Sequence, residues 1–146
     1  MAIQGFGNAN QKDIRAFEKN IGVRLPDDYF DFLLQYNGGI VELTDENTVR
    51  IEDLGESIYI DILFGLNSKR AELGLELWQN DYRSDMPSET IIIGTSYQHG
   101  FIILICSGED AGVYYWDHAY EFSCSNDETN TYFMADTFTD FIRKFL

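Results

Sequence analysis

The stretch of sequence that decides the fold covers residues 14–39 and reads IRAFEKNIGVRLPDDYFDFLLQYNGG. Its first half places apolar side chains such as Ile14 and Phe17 three to four residues apart, which is the spacing of one helix face. Asn10 precedes this segment at a position typical of a helix cap, and Gly22 follows it where glycine commonly ends a helix. The pattern predicts a first helix between these two residues.

The second half of the same stretch predicts another short helix after a tight connection. Pro26 is compatible with an early helical position, and the two aspartates after it favour the positive end of the helix dipole. The glycine pair at residues 38–39 stops the helix. An apolar stripe runs along one face: Tyr29, Phe32, Leu33 and Tyr36.

Beyond residue 39 the pattern changes to segments rich in β-branched and aromatic residues, separated by turns. These predict strands at residues 40–43, 49–51, 58–64, 90–94, 100–106, 112–116 and 120–124. A third helix is predicted from a cap at Ser68 to about residue 80, and a last helix from about Asp136 to the end of the chain. The runs at residues 91–93 and 101–105 are apolar at every position, so these two strands are expected at the centre of the sheet.

Together these elements predict one α+β domain over residues 1–146, with residues 1–9 as an N-terminal extension. The expected fold is a mainly antiparallel central β-sheet flanked by N-terminal helices, a middle helix and a C-terminal helix.

The charge of the chain restricts its partners. Twenty-five acidic residues against ten basic ones give a formal net charge of −15, and residues 84–142 contain no Lys or Arg. Such a surface repels nucleic-acid phosphates and anionic lipids, so direct binding to nucleic acid or membrane is not expected. It favours a basic protein partner. The alternative is that the acidity serves only solubility.

The remaining chemistry of the sequence favours a binding protein over an enzyme. Cys106 and Cys124 lie in apolar or aromatic sequence and are expected as reduced thiols in the cytoplasm. With His99 and His118 they match no common metal-ligand spacing, so no metal or cofactor is expected. Phosphate-binding loops and nucleophile elbows are absent from the sequence. The N-terminus does not resemble a signal peptide, and no apolar run is long enough to span a bilayer.

Two groups of residues are candidates for the partner contact. Acidic turns between the early strands provide one group, and an aromatic cluster after residue 112 provides the other, because Tyr and Trp beside carboxylates suit the anchoring of a basic partner. The second group joins the first in one contact if the sheet brings the two together. The candidate residues are Glu42, Asp45, Glu46, Glu52, Asp53, Glu56, Trp116, Asp117 and Tyr120.

The residue 14–39 stretch resembles the N-terminal signature of the SUKH superfamily, which includes the fungal cell-wall regulators Smi and Knr and many bacterial immunity proteins. The resemblance rests on Glu18 in the first helix, Gly22 followed by Leu25 and Pro26, an aromatic second helix, and a closing Asn-Gly-Gly at residues 37–39. Later segments match in order, including residues 62–65, 92–95, 113–117 and 135–142, so that the resemblance spans about residues 10–146.

The resemblance implies a compact α+β fold and an immunity protein that binds and neutralises a cognate polymorphic toxin. Such toxins are often nucleases with basic clefts, which an acidic protein can occupy. The resemblance also allows an alternative role as a non-catalytic regulatory scaffold of the cell-wall-regulator type, which would bind other proteins without inhibiting them.

Overall fold

A computed structural model describes residues 2–146 of the chain. It contains four α-helices and eight strands, which confirms the predicted α+β class. The helices are α1 Gln11–Ile21, α2 Asp27–Gln35, α3 Leu75–Tyr82 and α4 Phe138–Ile142. The strands are β1 Ile3–Gly5, β2 Gly39–Val41, β3 Thr48–Ile51, β4 Glu56–Leu63, β5 Thr90–Ser96, β6 Phe101–Ile105, β7 Gly112–Trp116 and β8 Thr131–Ala135.

The strands form one antiparallel sheet in the order β1-β2-β4-β5-β6-β7-β8, and β3 pairs with the first half of β4. The predicted central position of β5 and β6 is confirmed, because both lie in the middle of this order and nearly every residue of each is buried. Along β6, alternate side chains point to opposite faces. Phe101 and Ile102 are 3% and 0% exposed, so both faces of the sheet are covered.

The helical pair forms as the sequence predicts. The side chain of Asn10 accepts a hydrogen bond from the Asp13 amide at 2.8 Å, and Gly22 ends α1 in the left-handed conformation at φ 71°. Buried Glu18 then closes the connection to α2, because its carboxylate accepts the Leu25 amide at 2.8 Å. The signature glutamate of this stretch is therefore a structural residue.

The Asn-Gly-Gly segment after α2 is also structural. Asn37 exchanges two hydrogen bonds with the backbone of Leu66, at 2.8 and 3.0 Å. Gly38 has a φ of 81°, and a Cβ atom there would lie 2.4 Å from the Leu63 carbonyl oxygen. Only glycine fits this close approach of two backbones.

Helix α3 covers the outer face of the central strands. Trp78 stacks on Phe64 at a ring distance of 5.7 Å, and Tyr82 packs edge-on against Phe101 at 4.9 Å. The buried Gln79 side chain bonds to the backbone of β5 and so fixes the position of the helix. None of the helices within residues 2–146 is long and apolar enough to cross a membrane.

Two predicted element boundaries differ from the structure for identifiable reasons. Helix α3 begins at Leu75 instead of near Ser68, because Gly74 is extended and bridges back to Gly65. The last helix begins after Thr137, whose hydroxyl accepts the Asp140 amide as an N-cap, two residues later than its predicted start at about Asp136.

In two further segments, the secondary structure differs from the one that the sequence patterns predict. Ile3–Gly5, within the expected N-terminal extension, forms strand β1 and pairs with β2 at the sheet edge. The strand predicted at residues 120–124 is a loop, and β7 pairs instead with Thr131–Ala135, for which no strand is predicted from the sequence pattern.

Candidate functional site

The six predicted carboxylates lie on two turns, which we call the acidic turns: residues 42–47 between β2 and β3, and residues 52–56, which lead from β3 into the first residue of β4. All six are exposed: Glu42, Asp45, Glu46, Glu52, Asp53 and Glu56. Strand β3 pairs with β4 through Thr48 to Ile51, so the two turns lie at opposite ends of this four-residue strand. The acidic turns are thus two groups of three exposed carboxylates, separated by the length of β3, which itself carries the exposed Arg50.

The first acidic turn is held in place by buried and half-buried groups. Asn47 is 7% exposed, and its side chain donates to the Glu42 carbonyl at 2.7 Å. The Tyr59 hydroxyl donates to Asp45 at 2.6 Å, and this hydrogen bond, together with the charge of Asp45, raises the pKa of Tyr59. The backbone of the turn is thus fixed before any partner arrives.

The other five carboxylates of the acidic turns have no side-chain hydrogen bond or ion pair within residues 2–146. The three ion pairs in this part of the chain are Arg15–Glu18, Arg70–Glu72 and Arg143–Asp140. None of them involves an acidic turn, so the charges there remain available to a cationic partner.

The aromatic candidates lie on a different surface, in a groove that we call the aromatic groove. It lies between α3 with its following 3-10 turn and the β7–β8 loop, and it has a volume of about 470 Å³. Trp116 is half-buried in it, and Tyr120 is 46% exposed. The lining residues are Tyr82, Asp85, Met86, Pro87, Ile103, Trp116, His118, Tyr120, Asp127, Asn130 and Thr131.

Asp117 does not belong to the exposed surface on which we expected it. Its side chain is fully buried, and its carboxylate accepts the backbone amides of Glu121 and Phe122, each at 3.0 Å. These bonds turn the chain away from β7 and shape the loop that follows. Asp117 is therefore a structural residue of the β7–β8 loop, because a carboxylate already engaged with two amides beneath the surface is not presented to a partner.

Ring contacts hold the floor of the aromatic groove. Tyr82 and Trp116 meet edge to face at 5.7 Å, and His118 stacks on Phe101 at 4.2 Å. Burial lowers the pKa of His118, an effect partly opposed by the backbone of Trp116 and the charge of Asp117. The ring is therefore neutral at pH 7 and adds no positive charge to the groove.

The two surfaces are separate but lie on the same sheet. Strands β4 and β7 are three positions apart, a separation of about 14 Å at about 4.8 Å per strand. A second cavity, lined partly by Asp61, Tyr82 and His118, lies between them. Tyr59, which bonds to Asp45 of the first acidic turn, and Asp61, which lines this cavity, are two residues apart on β4, next to the register shift between Ile60 and Ile62.

Two acidic residues that line the aromatic groove, Asp85 and Asp127, were not among the predicted contacts. Asp85 belongs to the 3-10 turn after α3, and Asp127 to the β7–β8 loop, whose position depends on Asp117. The sequence carried no local signal for either one, since each is a single exposed aspartate in a polar segment. Asp85 comes near Trp116 through the packing of α3 on the sheet, and Asp127 through the path of the β7–β8 loop.

The described residues contain no group of three or more His, Cys, Asp or Glu side chains that could hold a metal ion. Both cysteines are free thiols within this part of the chain. The pKa of Cys106 is raised to about 12, mainly by burial and further by the negative charges of Glu89, Glu18 and Asp28. This thiol therefore stays protonated. What the two surfaces present to a partner is negative charge and aromatic rings.

Comparison with curated protein sequences gives no significant match. The family model described as SMI1/KNR4 family (SUKH-1) matches residues 8–144, which is nearly the whole chain and includes the helical pair, strands β2 to β8 and all of α4. The match agrees with the residue 14–39 signature and with the α+β architecture, and the chain belongs to the SMI1/KNR4 family (SUKH-1).

Proposed function

We propose that this chain is an immunity protein that binds a cognate polymorphic toxin in the cytoplasm and neutralises it without catalysis of its own. Membership of the SUKH-1 family is consistent with this role and with a protein partner. The observation that carries the proposal further is the group of exposed carboxylates on the acidic turns, five of which have no partner within residues 2–146.

The proposed mechanism is occupation of a basic cleft. A nuclease-type toxin domain presents Lys and Arg side chains to its phosphate substrate, and a rigid acidic surface can take the place of that substrate. The net charge of −15 steers the encounter and makes its rate depend on salt. The fixed backbone of the first acidic turn reduces the entropy lost on binding.

Capture of the partner, followed by an activity assay, tests the proposal. The tagged chain is incubated with native lysate at low salt, and bound proteins are eluted by raising the salt concentration and identified by mass spectrometry. The captured toxin domain is then expressed in cells with and without this chain. We expect growth only when both are present. Binding without protection would contradict neutralisation and favour a regulatory scaffold.

Charge reversal locates the contact. Glu46→Lys and Glu52→Lys are expected to slow association with the purified toxin and to reduce its salt dependence, while stability stays within about ±0.5 kcal/mol of the parent. Glu109→Lys is the matched control, because Glu109 is exposed on the β6–β7 turn at the opposite end of the strands. Equal association rates for all three variants would exclude the acidic turns as the contact.

A further inference from the structure

The charge, aromatic lining and volume of the aromatic groove suit a pocket for one side chain of a partner. We propose that it receives a single arginine side chain projecting from the toxin, in addition to the contact at the acidic turns. This inference rests on the proposed function only for the source of the arginine. The groove's preference for a guanidinium group follows from its own residues.

Charge complementarity is the first argument for this occupant. The described lining residues include Asp85 and Asp127, one on each of the two elements that border the groove, and no Lys or Arg. The basic residue nearest in sequence, Arg83, is exposed on the 3-10 turn and does not line the groove. A cation is thus favoured, and a second copy of this chain, with its own charge of −15, is not.

The aromatic lining is the second argument, and it selects arginine over lysine. Tyr82, Trp116 and His118 lie within 5.6–5.7 Å of one another, measured between ring centroids. A planar guanidinium stacks on such rings and can bond a carboxylate through two parallel N–H groups. A lysine ammonium is strongly hydrated and gains less from the same surroundings. The groove volume of about 470 Å³ is within the usual range of about 300–1,000 Å³ for ligand sites.

The third argument is that the wall of the groove is built before binding. The Tyr120 hydroxyl donates to Asp127, which fixes one carboxylate oxygen and leaves the other for a ligand. Tyr120 itself has a φ of 54°, a conformation that costs free energy for a non-glycine residue, and its ring remains 46% exposed. The buried Asp117 carboxylate holds the following backbone in place. A preformed wall limits the entropy lost when a flexible side chain enters.

A titration with small probes tests the pocket without the toxin. Nα-acetyl-L-argininamide and Nα-acetyl-L-lysinamide are added to the ¹⁵N-labelled chain, and the Trp116 indole signal and the backbone amides are followed by NMR. We expect saturable shifts confined to the groove, with binding of the arginine probe at least about threefold tighter than that of the lysine probe. Asp127→Asn and Asp85→Asn should each weaken the arginine probe, and Glu109→Gln should leave it unchanged.

Three results would overturn the assignment: equal binding of the two probes, shifts spread over the whole acidic surface without saturation, or unchanged binding in both aspartate variants. Because no toxin is present, any of these would exclude the pocket and leave neutralisation through the acidic turns intact. Conversely, a toxin that is bound but not inhibited would refute the proposed function, whatever the probes show.

Discussion

Replacement of Asp117 by asparagine separates a structural role for this residue from a role in partner contact. The carboxylate is fully buried, and its two oxygens accept the amides of Glu121 and Phe122 at 3.0 Å each. An asparagine of nearly the same size retains one acceptor oxygen but turns an NH₂ group toward the second amide. One hydrogen bond to a charged group is lost, and two donors then face each other.

A hydrogen bond to a charged group is worth about 1.5–3 kcal/mol, and an unsatisfied donor adds a cost of similar size where it stays buried. The two amides are only partly buried, so water offsets some of the cost. We therefore expect Asp117→Asn to lower the free energy of unfolding by about 2–3 kcal/mol. Amide hydrogen exchange at Glu121 and Phe122 should become faster by a larger factor than exchange in β5 and β6, because the loop loses its anchor.

Urea unfolding followed by circular dichroism measures the loss of stability, and NMR measures the exchange rates. Asp31→Asn is the matched control, because Asp31 is exposed on α2 and has no side-chain hydrogen bond in the described part of the chain. Its stability should remain within about 0.5 kcal/mol of the parent. If Asp117→Asn were equally neutral, the carboxylate would not anchor the loop, and our account of the groove wall would fail.

Three further predictions concern other parts of the molecule. Under native conditions at pH 8, iodoacetamide should modify exposed Cys124 and leave Cys106 unmodified, since burial raises the pKa of Cys106 to about 12. Modification of both cysteines, measured by mass spectrometry, would refute this prediction. Gly100→Ala should lower the free energy of unfolding by about 1–3 kcal/mol, because its Cβ would lie 2.1 Å from the ring of fully buried Tyr115; an unchanged urea midpoint would contradict that packing. Burial lowers the pKa of His118 in the folded chain, so as the pH falls below about 6.5 the unfolded chain binds a proton before the folded chain does, and stability is lost. His118→Phe should reduce this pH dependence, measured by urea unfolding between about pH 7.5 and 5.5.

The parts of the fold that were predictable from sequence are those decided by local chemistry. Asn10 and Gly22 mark the ends of α1 because a cap and a left-handed turn depend only on neighbouring residues. The central strands were predictable because only strands covered on both faces remain apolar at every position. Strand β8 was missed because its place is set by pairing with β7 across a long loop. The interruption before α3 was missed because Gly74 pairs with Gly65, a contact that no local pattern encodes.

The candidate site was predictable only in part, for the same reason. The acidic turns could be found because turn residues are exposed and their charges are visible in the sequence. Composition alone did not distinguish buried Asp117 from exposed Asp127, since both are aspartates near aromatic residues. The difference comes from two backbone amides that fold back on Asp117. Likewise, Tyr82 joins Trp116 only through the docking of α3 on the sheet.

The most direct test of the proposed neutralisation is a titration of toxin activity with the purified chain. The captured toxin domain is assayed against increasing amounts of the parent and of a variant carrying Glu46→Lys and Glu52→Lys together. We predict that one equivalent of the parent abolishes activity at low salt, whereas the variant requires a large excess. Full toxin activity in the presence of saturating bound chain, or identical curves for parent and variant, would contradict neutralisation through the acidic turns.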